Sequence, residues 1–184
     1  MIRMIRYGDL VETPWKNGGG LTREIARGGP GEPAPWRLSR ASILRDGPFS
    51  RFDGMIRILT IVEGRALTLR VGSSRLMVEP LCPVRFDGGA AAEAQLPAGH
   101  VSPLNLMFDP RLHEGRVEVL RGPLERDLPA FPAGNRAVHC VDGDPLVGRE
   151  SLHPGDTALS GPSPVRVHLA EGATALLVTL DRRA

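Results

Sequence analysis

The residue with the most distinctive chemistry is Lys16, the one lysine of a chain in which lysine and arginine together number 23. It lies in residues 14–20, PWKNGGG, which also hold one of the two tryptophans. An ammonium group is a compact point charge that arginine does not replace at a specific contact, and glycines let a backbone approach a ligand closely. The segment therefore predicts an anion contact. A solvated surface lysine is the alternative that the segment alone leaves open.

Three arginines, Arg23, Arg37 and Arg57, lie in or beside the strongest strand and turn patterns near this segment. Thr22 and Ser42 are neutral hydrogen-bonding side chains close to them. Guanidinium groups hold carboxylates through paired donors. The basic side chains of this region are therefore the leading candidates for binding a small anion.

Residues 36–44 predict a strand on which Arg37, Ser39 and Ala41 share one face, because alternate residues point the same way. If that face lines the inside of a barrel, it predicts a cavity for a small polar ligand. If it faces solvent, Leu38 and Leu44 on the opposite face would belong to the core. The pattern supports both interpretations.

Metal and nucleophilic chemistry have little support in the sequence. The histidines do not form a His-x-His motif or a pair one helical turn apart, so we expect no metal site. No Gly-x-Ser-x-Gly elbow is present, neither Cys82 nor Cys140 has a reactive context, and residues 18–22 lack the ending of a phosphate loop. We expect no catalytic residue of a known motif and no cofactor. The five histidines are His100, His113, His139, His153 and His168.

Composition sets further bounds on the function. The formal net charge is +2 and no run of like charges occurs, so we expect no nucleic-acid partner. The N-terminus lacks the continuous apolar core of a signal peptide, and no segment reaches the roughly 20 apolar residues of a membrane-spanning helix. We expect no membrane partner. Two widely spaced cysteines suggest no disulfide framework and favour the cytoplasm.

The elements that must hold these side chains are predicted to be strands. Residues 56–62 and 66–71 predict a β-hairpin across Glu63-Gly64, and further strands are expected near 75–79, 104–108, 115–121, 136–141, 145–152, 156–160, 164–170 and 173–180. Many short strands predict an all-β sandwich or barrel. We expect an N-terminal β-barrel over 1–121, a proline-rich linker over 122–132, and a smaller C-terminal β unit over 133–184, which N-terminal strands could complete.

Several motifs together resemble the HutD/Ves family. They are PWKNGGGLTREI at 14–25, WRLSRA at 36–41, DGPFS at 46–50, FDG at 52–54 and PVRFDG at 83–88. The resemblance implies a bicupin, two small β-barrels of the double-stranded β-helix type. It also implies a regulatory link to histidine utilisation, with N-formylglutamate as a candidate ligand. Metal-binding cupins carry histidines where counting from Gly54 places Thr60 and Val62, so a metal-free site is expected.

One departure from the family pattern concerns ligand choice. Family members tend to have an acidic residue before the stretch that contains Asn105 and Met107, whereas this chain has Pro103. If that acid orients a ligand, the ligand of this chain differs from that of its relatives.

The leading hypothesis is a metal-independent protein that binds a small carboxylate metabolite and modulates amino-acid catabolism. The alternatives are an isomerase or hydrolase that uses Lys16 with Glu24 or Asp53, and a protein-interaction module. A homodimer through sheet edges is compatible with the fold. The expected ligand-binding residues are Trp15, Lys16, Asn17, Gly18, Gly19, Thr22, Arg23, Arg37, Ser39, Phe49, Arg57 and Asn105.

Overall fold

A computed structural model of the chain describes residues 2–29 and 31–183. Nearly all regular structure in these residues is strand, and the first elements are β1 (Ile2–Ile5) and a short 3-10 helix (Tyr7–Asp9). None of the described helical structure is long and apolar enough to cross a membrane. The chain divides into two compact units. We call Val11–His113 the central unit and Met1–Leu10 with Glu114–Ala184 the composite unit.

The central unit holds ten strands in two antiparallel sheets. One sheet has the order β2-β3-β4-β11-β6-β9 and the other β5-β10-β7-β8. The strands are β2 (Glu12–Pro14), β3 (Gly20–Arg27), β4 (Trp36–Ile43), β5 (Gly47–Pro48), β6 (Ile56–Glu63), β7 (Leu67–Val71), β8 (Ser74–Val78), β9 (Val84–Asp87), β10 (Ala92–Gln95) and β11 (Ser102–Phe108).

Period-two alternation explains how these two sheets meet. Ile43, Leu59 and Ile61 of the six-stranded sheet pack in one buried cluster with residues of the four-stranded sheet, including Leu67 and Leu69. Each large side chain buried in this way contributes about 1.5–3 kcal/mol to folding. The face of β4 and β6 that carries Ile43 and Leu59 is therefore the inner face of the unit.

The predicted hairpin over 56–71 is wrong. β6 pairs with β11 and β9, whereas β7 pairs with β10 and β8 in the other sheet. Gly64, at φ +92°, lets the chain turn from one sheet into the other, and a Cβ there would lie 2.7 Å from the His100 carbonyl oxygen. Two alternating strands joined by a glycine turn have the same sequence pattern whether they pair or change sheets.

The composite unit repeats the two-sheet arrangement around its own core. The sheet orders are β1-β17-β14-β19-β12 and β13-β18-β15-β16. Buried residues of both sheets, such as Val138 and Val167, form one cluster. The strands are β12 (His113–Arg121), β13 (Leu124–Leu128), β14 (Gly134–Asp142), β15 (Leu146–Val147), β16 (Glu150–Ser151), β17 (Thr157–Ser160), β18 (Val165–Leu169) and β19 (Thr174–Arg182).

The division differs from the predicted one in two places. Residues 122–132, expected as a linker, contain β13, which pairs with β18 from Leu124↔Leu169 to Leu128↔Val165. The central unit ends at His113 rather than at 121, because β12 pairs in the sheet of β14 and β19. Prolines lie directly outside both ends of this short strand. The high proline content of the segment is typical of a linker, so the sequence pattern did not indicate the strand pairing. β1 joins the composite unit by pairing with β17.

Candidate functional site

Arg57 lies on the inner face of the central unit and is only 7% exposed. It alternates with Leu59 and Ile61, which belong to the buried cluster. Across the sheet its neighbours in register are Met107 on β11 and Phe86 on β9. A guanidinium group has thus been placed where alternation would otherwise put an apolar side chain.

The guanidinium group of Arg57 is surrounded mainly by aromatic rings, and its N–H groups make few hydrogen bonds. The guanidinium carbon lies 4.9 Å from the ring centre of Phe49, 5.1 Å from that of Phe86 and 5.8 Å from that of Phe52. At the edge, Nη2 donates to Asn105 Oδ1 at 3.2 Å, while the buried Nε has no hydrogen-bond partner. In the part of the chain that the structure describes, Arg57 forms no salt bridge.

The electrostatics of Arg57 are those of a buried cation. Burial and, to a smaller extent, the positive charge of Arg37 together lower its pKa to about 10. A pKa of about 10 still leaves the group protonated at neutral pH. The inner face therefore carries a positive charge that lacks a counter-charge.

Two other buried arginines show what a satisfied guanidinium group looks like in this protein. Arg40 donates through Nε to Ser102 Oγ at 2.9 Å and pairs with Glu63 at 2.9 Å. Arg136 donates to Ser160 Oγ at 2.9 Å, the Pro129 carbonyl at 2.9 Å and the Ser163 carbonyl at 3.4 Å. Arg57 differs from both because its edge meets a single acceptor.

Arg37 lies on the same inner face. Met107 on β11 pairs in register with both Arg37 on β4 and Arg57 on β6, so the two arginines are two strands apart. Arg37 is partly exposed, and its guanidinium carbon lies 5.3 Å from the ring centre of Phe52, the ring that Arg57 also contacts. Burial lowers the pKa of Arg37, and the nearby Glu24 and Glu32 oppose that change. The inner face therefore carries two cations, the partly exposed Arg37 and the buried Arg57.

A tight turn positions Phe52 between these arginines. The Phe52 amide donates to the Gly88 carbonyl at 2.8 Å, and the Gly88 amide donates to the Met55 carbonyl at 2.8 Å. A Cβ on Gly88 would lie 2.9 Å from the Met55 carbonyl oxygen and 3.2 Å from Arg57 Cγ. A side chain at position 88 would therefore collide with the turn at Phe52–Met55 and with Arg57, so the close approach requires glycine.

The Lys16 loop connects β2 to β3 and is fixed by its own backbone. The Gly18 amide donates to the Trp15 carbonyl at 2.9 Å, and Asn17 Oδ1 accepts from the Gly19 amide at 2.9 Å. Asn17 Nδ2 donates to the Pro48 carbonyl at 3.3 Å, next to Phe49. Lys16 itself is exposed. The loop therefore lies at the edge of the aromatic cluster, by which we mean the three rings of Phe49, Phe52 and Phe86 around Arg57. The ammonium group of Lys16 is in solvent.

Trp15 and Thr22 link this loop to the aromatic cluster. Trp15 Nε1 donates to Thr22 Oγ1 at 2.8 Å, and the Trp15 ring meets the Phe49 ring edge-on at 6.1 Å. Phe49 in turn covers Arg57. The position of the loop is therefore coupled to one wall of the Arg57 cluster.

The predicted site residues fall into three groups. The first, Arg57, Asn105, Phe49, Arg37 and the buried Ser39, shares the inner face or contacts it; Ser39 pairs in register with Asn105. This arrangement matches the interpretation in which the polar face of 36–44 is the inner one. The second, with Trp15 and Thr22, supports that face, and the loop residues Lys16, Asn17, Gly18 and Gly19 lie at its edge.

Arg23 forms the third group alone. It pairs in register with Arg40, on the face opposite to Ser39 and Ala41, and it forms an ion pair with Glu12. The structure does not bring it to Arg57. Phe52 and Phe86 are part of the cluster but were not predicted as site residues, although both lie in the motifs that carry the family resemblance. The alternation of Phe86 in 84–87 was the signal available for it.

No group of three or more histidine, cysteine or acidic side chains is close enough to hold a metal ion within residues 2–29 and 31–183. Thr60, at one of the positions where metal-binding cupins carry histidine, is buried and its Oγ1 has no hydrogen-bond partner. The groups in contact with the Arg57 guanidinium are phenylalanine rings and the amide of Asn105.

The chain is similar to known proteins over most of its length. The HutD family pattern matches residues 7–177. Protein Ves of Escherichia fergusonii is 38% identical over 145 residues, which cover 76% of this chain and 74% of that protein. An uncharacterized protein from the hutC 3' region of Pseudomonas putida is 35% identical over 124 residues, 66% of this chain. The match spans 65% of that relative, just under two thirds of its length.

The fold is also shared with solved structures. HutD from Pseudomonas fluorescens SBW25, determined in a formate condition, superposes with a TM-score of 0.88 at 30% identity and covers 100% of both chains. The architecture is the all-β, cupin-like one of such proteins. With a family pattern that extends over residues 7–177, the chain belongs to the HutD family.

Proposed function

We propose that the protein binds a small carboxylate metabolite at Arg57 without a metal ion and acts as a binding protein that modulates amino-acid catabolism. The observation that carries the proposal is the buried, unpaired guanidinium group of Arg57, which meets three phenylalanine rings and a single acceptor. A carboxylate would supply the acceptors that this group lacks.

The energetics favour a ligand at the guanidinium edge. Aromatic rings attract a cation through their faces, but they do not accept the in-plane N–H groups. A buried donor without a partner costs about 1–3 kcal/mol. A bidentate carboxylate satisfies two such donors and neutralises the charge, and hydrogen bonds of this type are roughly twice as strong as neutral ones.

Access to Arg57 is proposed from the side of Arg37 and Phe52, both of which are partly exposed. Arg37 would meet the anion first and Arg57 would hold it. Lys16, exposed on its ordered loop, would add a point charge screened by solvent. Its exposure offers none of the desolvation that a catalytic lysine requires, so binding is the better-supported activity.

The biological setting is drawn from the family. Relatives of this chain include HutD itself, and a brake on histidine utilisation through a pathway intermediate such as N-formylglutamate fits a carboxylate site. We describe the two double-sheet units as a bicupin, with the site in the central unit. The thiols of Cys82 and Cys140 are free, which is consistent with the cytoplasm that such a role requires.

Isothermal titration of the protein with formate, glutamate, urocanate and N-formylglutamate tests the proposal. We expect a saturable response to at least one carboxylate, and loss of that response in Arg57→Met. The matched control is Arg136→Met, which removes a buried arginine beside an aromatic ring in the composite unit. No response to any of these carboxylates, or an equal loss in both variants, would contradict it.

A further inference from the structure

Glu24 adds a negative charge to the exposed end of the same inner face. It pairs in register with Ser39, which pairs with Asn105, so alternation points all three side chains to the side of Arg57. Glu24 is exposed. Among the described residues its side chain has no hydrogen bond or salt bridge, and its carboxylate is available to a ligand.

The other charges near this end cancel. Arg27 pairs in register with Arg37 but holds Glu32 in a salt bridge of 2.6 Å. Among the described residues at this end, Arg37, Arg57 and Glu24 are therefore the charged groups without an ion-pair partner, and Arg57 has only the neutral Asn105 amide as an acceptor. Two are positive and one is negative.

The two arginines share one phenylalanine ring, and Glu24 lies on the strand next to that of Arg37. The guanidinium carbons of Arg37 and Arg57 are both within 6 Å of the Phe52 ring centre, at 5.3 and 5.8 Å. Glu24 is on β3, directly beside the strand of Arg37, and neighbouring strands are about 4.8 Å apart. The interaction between the two is also visible in the pKa of Arg37, which burial lowers and Glu24 raises.

We propose that the ligand of this site is a dicarboxylate that also carries an ammonium group, with its carboxylates on Arg57 and Arg37 and its ammonium on Glu24. This inference rests on the proposed carboxylate site and specifies its ligand class: in place of N-formylglutamate, named above as an example, it assigns a ligand that keeps its ammonium group. A ligand with charges of −1, −1 and +1 complements the three unpaired groups. A simple dicarboxylate leaves Glu24 unpaired and repelled, and an N-acylated amino acid has lost the ammonium group.

The effect expected from an exposed pair is modest, so the test compares closely related ligands. L-glutamate has both carboxylates and the ammonium group, glutarate lacks the ammonium group, and N-formyl-L-glutamate carries a neutral amide in its place. An exposed charge pair changes affinity by up to about fivefold. We expect L-glutamate to bind about fivefold more tightly than either comparator.

Calorimetric titration of the wild-type protein, Glu24→Gln and Glu79→Gln with these three ligands tests whether Glu24 causes the preference for L-glutamate. Glu79 is an exposed glutamate of the same unit and serves as the matched control. We expect Glu24→Gln to remove the preference for L-glutamate while glutarate binds at least as well as before, and Glu79→Gln to keep the preference.

Two results overturn the inference while leaving the carboxylate site in place. One is binding of glutarate or N-formyl-L-glutamate as tight as that of L-glutamate, and the other is an unchanged preference in Glu24→Gln. Failure of all three ligands to bind would instead overturn the carboxylate site itself, and the inference with it.

Discussion

Arg57 on β6 donates to Asn105 Oδ1 on the neighbouring strand β11 at 3.2 Å, and this amide is the one hydrogen-bond acceptor that the described residues offer it. A buried cation held in this way contributes little net stability, since its desolvation offsets its ring contacts. We expect Arg57→Met to change the free energy of unfolding by less than about 1 kcal/mol and to abolish carboxylate binding. Chemical denaturation and calorimetry measure the two effects.

Arg136→Met is the control for stability. Arg136 donates to three acceptors, so its removal leaves polar atoms unpaired and should lower the free energy of unfolding by about 1–3 kcal/mol. Equal destabilisation by both substitutions would show that Arg57 is an ordinary structural arginine.

Asn105→Asp should imitate a bound carboxylate. Asn105 is 4% exposed and already contacts the Arg57 edge, so a carboxylate there would form a charge-assisted hydrogen bond and raise stability by about 1–2 kcal/mol at pH 7. It should also prevent ligand binding. Asn135→Asp, at an exposed position of β14, is the control and should change neither property; ligand binding by Asn105→Asp with wild-type affinity would refute the assignment.

Lys16→Met should weaken binding by no more than about fivefold at low salt, because an exposed ammonium group contributes as a screened charge. The difference from wild type should vanish near 0.5 M salt, where screening is nearly complete, and Lys16→Arg should restore it. Titration at two ionic strengths measures this. Loss of binding at both would mean that Lys16 is a direct contact held in the site.

Parts of this site were predictable because they follow local rules. Alternation along 36–44 and 56–62 places Arg37, Ser39 and Arg57 on definite faces, and the glycines at 18–20 mark a loop. The choice of inner or outer face depends on which strands pack above it, and the incorrect hairpin over 56–71 shows that local alternation does not determine pairing.

The contact between Arg57 and Asn105 joins residues 48 positions apart in sequence. The sequence around either residue does not indicate that the two side chains meet. The resemblance to relatives pointed to Asn105 but not to its contact with Arg57. Lys16 illustrates the opposite case. Its rarity drew attention to the right loop, but exposure is a property of the folded surface and could not be inferred from rarity.

Gly88→Ala should weaken carboxylate binding by about tenfold with little loss of secondary structure. The new Cβ would lie 2.9 Å from the Met55 carbonyl oxygen and 3.1 Å from the Phe52 carbonyl oxygen, so the turn that carries Phe52 must move. A displacement of this size near a binding group reduces affinity. Gly89→Ala, whose nearest atom is the flexible Asp53 Oδ1 at 3.0 Å, is the adjacent control. Equal affinities for the two variants would show that the turn does not position the site.

Asp156 should make the composite unit sensitive to acid. Burial raises its pKa, but hydrogen bonds from the Tyr7 amide, Arg6 and the His153 amide outweigh burial, so the pKa lies below its ordinary value. A carboxyl group with a depressed folded-state pKa stabilises the protein fully above its unfolded pKa, about 3.9, and this stability is lost as the pH falls through the folded pKa. Asp156→Asn should therefore lower stability at pH 7 by about 1–3 kcal/mol and flatten the decline below pH 4.

The control for this prediction is Asp127→Asn, which breaks an exposed pair with Arg166. Water solvates both of those groups when they separate, so we expect a much smaller change at pH 7. Asp156 instead joins the segment around Tyr7 to the turn before β17 by contacts at 2.7, 2.9 and 3.1 Å, and its loss leaves partly buried donors without a charged acceptor. Denaturation curves of the two variants between pH 3 and 7 measure the difference; parallel curves would mean that the buried carboxylate does not hold the N-terminal segment.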